Sequence, residues 1–202
     1  MPSSTFFNLP EAKREKLLSA ARAEFSRTSY GETSINRIIR EAGIPRGSFY
    51  MYFTDKEDLF LYLMRSYGER VEALLVALLE KHSGDPFAAA LALFDYVQAR
   101  WEEEQYQELV QIIRRNEQIR PNIFFCRGEA GIADWLRDKI DLTLLDLREE
   151  QDLTGIIFLL LSVTGGAVMR AASGASPEAR AQLVHLIEIL KRGAARKPVP
   201  AE

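Results

Sequence analysis

The chain of 202 residues is predicted to be an all-α protein, because most of its segments carry apolar residues three and four positions apart. Helix start and stop signals separate these segments. Ser-Pro-Glu at 176–178 is a typical start, and Lys-Arg-Gly at 191–193 is a typical end. An apolar content of 47% is enough to bury a core. We therefore predict a small three-helix part at the N-terminal end, followed by a longer helical part.

The first predicted helix follows a loose arm formed by residues 1–8. Asn8 can cap this helix, with Pro10 in its first turn. Leu17 and Phe25, with the residues between them at helical spacing, give the helix an apolar face. This helix is expected to brace the two shorter helices that follow.

The stretch 35–53 predicts two short helices around a tight break. The apolar face of the first helix ends at Ala42, and Gly43 follows where a helix end favours a left-handed residue. Pro45 can open the second helix, whose Phe49 and Phe53 point inward. Two interpretations fit this pattern: a DNA-binding helix-turn-helix, or a plain helical hairpin within an all-α protein.

The outward residues favour the DNA-binding interpretation. An arginine and three hydroxyl side chains can bond phosphates or base edges, a methionine can pack on a thymine methyl, and a glycine allows close backbone approach. Thr33 or Ser34 caps the preceding helix at a point where a phosphate can approach. The predicted contacts of the second helix are Arg46, Gly47, Ser48, Tyr50, Met51 and Tyr52.

The run from Lys16 to Phe60 resembles the DNA-binding domain of the TetR family of bacterial transcriptional regulators. The matching segments are LLSAARAEF (17–25), YGETS (30–34), AGIPRGSFYMYF (42–53) and TDKEDLF (54–60). Ser29 and Ile39 stand where the family often has glycine and alanine, and neither is expected to touch DNA. The resemblance implies a phosphate contact for Lys56, at the start of a long helix whose free amides also suit an anion. The competing interpretation pairs this lysine with nearby carboxylates.

Charge and residue usage narrow the function further. The net charge is −3, but residues 1–53 carry eight Lys or Arg against five Asp or Glu. A weakly basic head on an acidic body fits a localised DNA footprint. His82, His185 and the single Cys126 show no metal-ligand spacing, and no catalytic motif is recognisable. We predict no enzymatic activity, no metal and no cofactor. With no signal-peptide pattern at the N-terminus, we expect a cytoplasmic location.

The remainder of the chain is predicted to be helical. Residues 122–131 are left open between helix and loop. Four helices are predicted here. The first starts at Thr54 or Asp55 and ends near His82, and the second starts at Asp85 or Pro86 and ends near Glu104. The third runs from Tyr106 to Asn116, and the fourth lies within the stretch from Ala133 to Leu147.

Two late helices predict a dimer. Between Asp152 and Arg170 lie 17 uncharged residues, near the minimum for a membrane span. Polar and small residues dilute this run, so we favour a helix buried on nearly all sides and expect no membrane contact. This helix and the one that starts at Ser176 have wider apolar faces than the core of one subunit needs. We therefore predict that they pair with the same two helices of a second copy, as a four-helix homodimer interface. Its predicted residues are Gly155, Ser162, Gly166, Leu183, Leu186, Ile187 and Leu190.

A small-molecule effector site is implied by the family resemblance. Large aromatic side chains with a few polar ones can line a ligand pocket, although the same side chains can equally fill a core. The predicted effector-binding residues are Phe94, Trp101, Tyr106, Gln107, Arg114, Phe124, Phe125 and Trp135.

The resulting hypothesis is a homodimeric, ligand-responsive repressor that binds a pseudo-palindromic DNA operator. Its predicted parts are a helix-turn-helix domain at 9–54, a helical effector-binding and dimerisation domain at 55–193, and a disordered tail at 194–202. One alternative is a DNA-binding activator or architectural protein without an effector. Another is an all-α enzyme or interaction module that uses the hairpin only as scaffold.

Overall fold

A computed structural model describes residues 1–116, 128–174 and 176–194, and confirms the all-α prediction for them. Two 3-10 turns, Arg137–Lys139 and Leu142–Leu144, follow the eighth helix. The α-helices of the described chain are α1 (Ser4–Phe7), α2 (Glu11–Arg27), α3 (Ile35–Ala42), α4 (Arg46–Tyr52), α5 (Lys56–Lys81), α6 (Pro86–Ala99), α7 (Glu104–Arg115), α8 (Gly128–Leu136), α9 (Asp152–Ala171) and α10 (Ser176–Ala194).

The helices form two compact units. The first comprises Met1–Glu69 together with α7, and the second comprises Arg70–Trp101 together with α8, α9 and α10. The division falls within α5, so this one helix contributes residues to both units. The predicted domain limits stay a prediction, and residues 195–202 of the predicted tail lie outside the described residues.

The helix-turn-helix forms for the reasons that its sequence gives. The side chain of Ser34 caps α3 by accepting a hydrogen bond from the Arg37 N–H (3.4 Å). Gly43 ends the helix with φ 66° and ψ 34°, the left-handed conformation that glycine adopts without strain. Pro45 is extended and immediately precedes α4. The predicted cap, break and restart are therefore confirmed.

A single aromatic-rich core holds the first unit together. Phe25, Ile38, Phe49, Phe53 and Leu59 are each at most 1% exposed. Burying each such side chain stabilises the unit by about 1.5–3 kcal/mol. Helix α7 packs on α2 and adds a fully buried isoleucine, residue 112, to this core. The inward positions predicted for α2, α3 and α4 are confirmed.

The prediction of a loose N-terminal arm is wrong, because residues 4–7 form α1. The side chain of Ser3 caps this helix by accepting from the Phe6 N–H (3.4 Å), and Phe6 is fully buried in the core. Burial of one large aromatic ring outweighs the cost of ordering a short segment. Asn8, predicted to cap the next helix, instead ends α1, and Pro10 precedes α2 without a side-chain cap.

The region between α8 and α9 also differs from its prediction. The helix expected within the stretch 133–147 starts earlier and ends at Leu136, and two 3-10 turns follow. The carboxylate of Asp141 accepts from both the N–H (3.0 Å) and the hydroxyl (2.6 Å) of Thr143. Such local side-chain bonds offer the backbone an alternative to continued helix.

Helix α9 is long and apolar enough to span a membrane by length and composition alone. A single such helix is weak evidence, since core helices of other proteins pass the same test. Within the second unit, α9 packs on α6, α8 and α10. Within the single chain α9 is not buried on nearly all sides, so the predicted burial would need a partner and stays a prediction. Five of its exposed positions lie on one side, spaced three, four, seven and ten residues from the first: Gly155, Phe158, Leu159, Ser162 and Gly165. Arg170 is exposed in the last turn.

The turn between α5 and α6 requires a glycine. Gly84 has φ 80°, and a Cβ built on it would lie 2.5 Å from the backbone nitrogen of Asp141. The same nitrogen donates a hydrogen bond to the Gly84 carbonyl (3.0 Å). The close approach therefore joins this turn to the 3-10 region of the second unit.

We expect Gly84→Ala to lower the free energy of unfolding by about 1–3 kcal/mol, because it adds a backbone clash to a left-handed residue. Gly174→Ala is the matched control, since Gly174 has φ 92° but no atom within 4 Å of the added Cβ. Chemical denaturation of both variants separates the two costs. Equal losses would mean that the approach to Asp141 contributes nothing.

Candidate DNA-binding site

Helix α4 buries one face and exposes the other. Phe49 is fully buried, whereas Tyr50 and Met51 are 50% and 57% exposed. Arg46 and Gly47 are also exposed, and Ser48 and Tyr52 are half-buried. Nothing lies within 4 Å of a Cβ built on Gly47, so a large surface can approach this turn of the helix. The residues predicted for the second helix therefore share an accessible side of the first unit.

The predicted contacts before α3 are already engaged within the protein. Thr33 is 6% exposed, and its hydroxyl donates to the Ser29 carbonyl (3.0 Å) and lies 3.1 Å from the Thr28 hydroxyl. Ser34 caps α3. These hydroxyls stabilise the loop of residues 28–34, which we call the α2–α3 loop.

Lys56 clamps the α2–α3 loop from the start of α5. Its ammonium donates to the carbonyls of Tyr30 (2.5 Å), Thr33 (3.2 Å) and Gly31 (3.4 Å). It also lies 4.6 Å from the centre of the Tyr30 ring, a cation–π distance. Burial raises the pKa of the Tyr30 hydroxyl, with a further contribution from the carboxylate of Glu57. The interpretation in which this lysine pairs with carboxylates is not what the structure contains.

Two residues that the sequence reasoning missed also hold this loop. Glu24 is 3% exposed, and its Oε1 accepts from the Ser34 N–H (3.0 Å) and the Arg37 Nε–H (2.7 Å). Asn116 Oδ1 accepts from the Tyr30 N–H (2.6 Å). A charged residue on the apolar side of α2 was a usable signal for Glu24. The separation of 86 residues between Asn116 and Tyr30 left no signal in the sequence.

We expect Glu24→Gln to destabilise the protein by about 1–2 kcal/mol, since it removes the charge that Arg37 and an amide both bond. Glu41→Gln is the control, because Glu41 is an exposed partner of Arg27 at 3.6 Å and its loss should cost within about 0.5 kcal/mol. Thermal denaturation of both variants measures the difference. Equal stability of the two would contradict a role for Glu24 in holding the loop.

The described residues contain no group of three or more His, Cys, Asp or Glu side chains placed to hold a metal ion. The accessible side of α4 instead presents a guanidinium, hydroxyls, a thioether and open backbone. These groups suit the phosphates and base edges of a duplex.

Comparisons with known proteins agree with this geometry. Residues 17–63 match the family model described as bacterial regulatory proteins, tetR family. The chain is 29% identical over 185 residues to the transcriptional repressor Rv1474c of Mycobacterium tuberculosis, covering 88% of this chain and 91% of that protein. Residues 17–63 therefore match the TetR-family DNA-binding domain, and the chain resembles TetR-family regulators along most of its length. With this helix-turn-helix, the chain is a DNA-binding transcriptional regulator.

Two further similarities support the same family. An uncharacterised transcriptional regulator of Bacillus subtilis, YdgC, is 38% identical over 66 residues, which cover 33% of this chain and only 34% of that protein. A TetR-family regulator from Chloroflexus aurantiacus has a similar structure, with 28% identity and a TM-score of 0.55, over 98% of this chain and all of that one.

The remaining predicted site residues lie in both units. Of the effector residues, Phe94, Trp101 and Trp135 belong to the second unit, and Phe94 is 1% exposed. Tyr106, Gln107 and Arg114 lie on α7 of the first unit. Phe124 and Phe125 lie outside the described residues. The effector site stays a prediction.

The predicted dimer residues divide by exposure. Leu183 and Ile187 are fully buried within their own chain, whereas Gly155 and Ser162 are exposed on α9. Gly166, Leu186 and Leu190 are half-buried. The exposed face of α9, together with Ile189 of α10 (45% exposed), is thus the apolar surface that these two helices leave available to a partner.

Proposed function

We propose that this chain is a homodimeric transcriptional repressor of the cytoplasm whose affinity for a pseudo-palindromic DNA operator changes with a small-molecule effector. The observation that carries the proposal is the exposed face of α4, where Arg46, Tyr50 and Met51 lie at the surface while the helix is anchored in the aromatic core by the buried Phe49. The similarity to a mycobacterial protein named as a repressor supports the repressing role.

In this proposal, α4 lies in the major groove and its exposed side chains read the bases. Arg46 suits guanine or a phosphate, and the hydroxyls of Ser48 and Tyr50 suit polar base edges. Met51, more than half exposed, suits a thymine methyl. Tyr52 is half-buried, which fits a phosphate contact that sets the register of the helix on the duplex.

The proposed phosphate contacts also include Thr33, Ser34 and Lys56. The Lys56 ammonium has three donors, and the three loop carbonyls occupy them in the protein alone. A direct phosphate contact therefore requires the ammonium to exchange one carbonyl for a phosphate oxygen. The weakest candidate for exchange is the longest bond, 3.4 Å to the Gly31 carbonyl.

A second copy of the chain is the proposed partner of the exposed α9 face. Phe158 and Leu159 are 39% and 45% exposed, and they lie between small residues that let another helix approach closely. An isologous pairing of this face with itself would give the two-fold symmetry that a pseudo-palindromic operator needs.

We expect Leu159→Arg to convert the dimer to a folded monomer, because a charge would be buried at the centre of the pairing face. Leu144→Arg is the matched control, since Leu144 is 38% exposed but lies in a 3-10 turn outside α9. Sedimentation equilibrium gives the mass of each variant. A Leu159→Arg protein that sediments like the parent would contradict the proposed face.

The proposed effector is a small, largely apolar molecule with a polar group. The predicted lining supports this class, because it combines large aromatic side chains with Gln107 and Arg114. A coupling of about 1–3 kcal/mol between effector and operator would change DNA affinity roughly 5–150-fold. Helix α5, which contributes to both units, is the segment expected to carry the change.

Selection from a random pool of duplex DNA tests the proposal. The purified full-length protein is expected to enrich an inverted repeat, with half-sites spaced by about one helical turn or a multiple of it. Failure of the folded dimer to enrich any sequence at low salt would overturn the proposed function. The enriched duplex also supplies the ligand for every binding experiment described below.

A further inference from the structure

The recognition helix is too short to be stable by itself. Helix α4 has seven residues, about two turns, whereas isolated helices need roughly 12–15 residues to be even marginally stable in water. The last four carbonyls of any helix lack partners within it. In α4 the Phe53 N–H donates to the Phe49 carbonyl (2.9 Å), and the carbonyls of Tyr50, Met51 and Tyr52 remain to be satisfied.

Ser3 supplies the donors for the last two of these carbonyls. Its backbone N–H donates to the Tyr52 carbonyl (2.9 Å), and its hydroxyl donates to the Met51 carbonyl (2.5 Å). Ser3, the residue immediately before α1, thus caps the C-terminal end of α4 from a distant part of the chain. Both capped residues belong to the set proposed to contact DNA.

Phe6 fixes the capping segment in place. Its side chain is fully buried, and its ring centre lies 4.8 Å from that of Phe53, 5.2 Å from that of Tyr62 and 6.4 Å from that of Tyr52. Because Phe6 anchors to the residues that flank the end of α4, Ser3 is held against the same carbonyls. The capping bonds of Ser3 therefore depend on the packing of Phe6.

We propose that Ser3 and Phe6 are positioning residues for operator recognition, which hold the C-terminal turn of α4 in the conformation that reads DNA. The inference rests on the proposed DNA binding and adds to it a segment outside the helix-turn-helix. Without the cap, the last turn of α4 must be ordered when DNA binds, and specific affinity falls by the cost of that ordering. Non-specific binding depends on charge rather than on the exact place of Met51 and Tyr52, so it should change little.

A series at position 3 tests this proposal in the full-length dimer. Ser3→Ala removes the hydroxyl, both as the donor to Met51 and as the N-cap acceptor of α1, and keeps the amide. Ser3→Pro removes both donors, and its ring tolerates the φ of −72° found at this position. Ser3→Thr keeps both donors and should therefore keep the specific affinity for the enriched duplex. Ser4→Ala is the control, because Ser4 is exposed on the same helix.

The measurements are affinity for the enriched duplex, affinity for a scrambled duplex of equal length, and hydrogen exchange of the amides in residues 46–53. Ser3→Ala should weaken specific binding roughly 3–10-fold and Ser3→Pro roughly 10–100-fold. Ser3→Thr and Ser4→Ala should bind like the parent, and all variants should bind scrambled DNA like the parent. Exchange at the end of α4 should quicken in the same order as specific affinity falls.

The outcomes separate this inference from the proposed function. If the parent binds no duplex specifically, the proposed function fails, and exchange in residues 46–53 still reports whether Ser3 caps α4. If the parent binds its duplex and Ser3→Pro binds equally well, the positioning role is overturned. A Ser3→Pro variant that loses specific and non-specific binding alike, with a lowered melting temperature, also overturns it, because the residue would then serve folding only.

Discussion

Tyr50→Ala should raise the Kd for the enriched duplex roughly 10–100-fold, which corresponds to about 1.4–2.7 kcal/mol. Tyr50 is half exposed on α4, and its ring meets the ring of Phe49 edge to face, with 5.3 Å between the ring centres. Removal of this side chain should therefore cost at most about 1 kcal/mol of stability. Fluorescence anisotropy with labelled duplex measures the affinity, and a thermal melt of the same sample measures the stability.

Two matched variants identify what Tyr50 contributes. Tyr50→Phe keeps the ring and its contact with Phe49, so a loss of affinity in this variant isolates the hydroxyl. Leu61→Ala truncates a side chain of similar exposure (45%) on α5 and should leave DNA affinity unchanged. If Tyr50→Ala binds the enriched duplex as tightly as the parent, α4 does not read DNA in the way proposed.

Lys56→Met should destabilise the protein by about 2–4 kcal/mol, because it keeps the apolar stem and removes an ammonium that bonds three loop carbonyls. Hydrogen bonds made by a charged donor are stronger than neutral ones, and the cation–π contact with Tyr30 is lost as well. Chemical denaturation measures the loss. Lys13→Met, at an exposed position of α2, should stay within about 0.5 kcal/mol of the parent.

The salt dependence of binding shows whether Lys56 also contacts phosphate. A lysine that neutralises one phosphate contributes about one unit to the slope of log affinity against log salt. If Lys56 exchanges a carbonyl for phosphate when DNA binds, Lys56→Met reduces this slope by about one. If it acts only as a clamp, affinity falls and the slope stays that of the parent. Unchanged stability would contradict the clamp itself.

The local signals of the helix-turn-helix were sufficient to predict it. Gly43, Pro45 and the spacing of Phe49 and Phe53 act within a few residues of one another, and each has a direct backbone or packing consequence. The accessible face of α4 followed from the same spacing, because Phe49 and Phe53, four residues apart, lie on one face of the helix and Tyr50 and Met51 between them lie on other faces.

What the sequence could not predict depends on contacts between distant residues. Ser3 bonds residues 48 and 49 positions away, and Asn116 bonds a residue 86 positions away. The family resemblance and a place at a helix start predict a phosphate contact for Lys56. Its three carbonyl partners become visible only when the α2–α3 loop folds beside it. Hydrophobic spacing carries no information on which polar groups will meet.

The packing of α9 and α10 was also only partly predictable from the sequence. Their apolar character was predicted, but which side each buries depends on the neighbours that each meets. Leu183 and Ile187 face the interior of their own chain, while Phe158 and Leu159 remain exposed on α9. A helix that is apolar on all faces is predicted to be buried, but the pattern does not show whether its own chain or a partner covers each face.

The most direct test of the account is the affinity of the full-length protein for the enriched duplex and for a scrambled duplex of equal length, each measured over a range of salt concentrations. We expect tighter binding to the enriched duplex at every salt concentration, with log affinity falling linearly as log salt rises for both. Equal affinity for the two duplexes, or an affinity that does not respond to salt, would contradict recognition of DNA by α4 and the first unit.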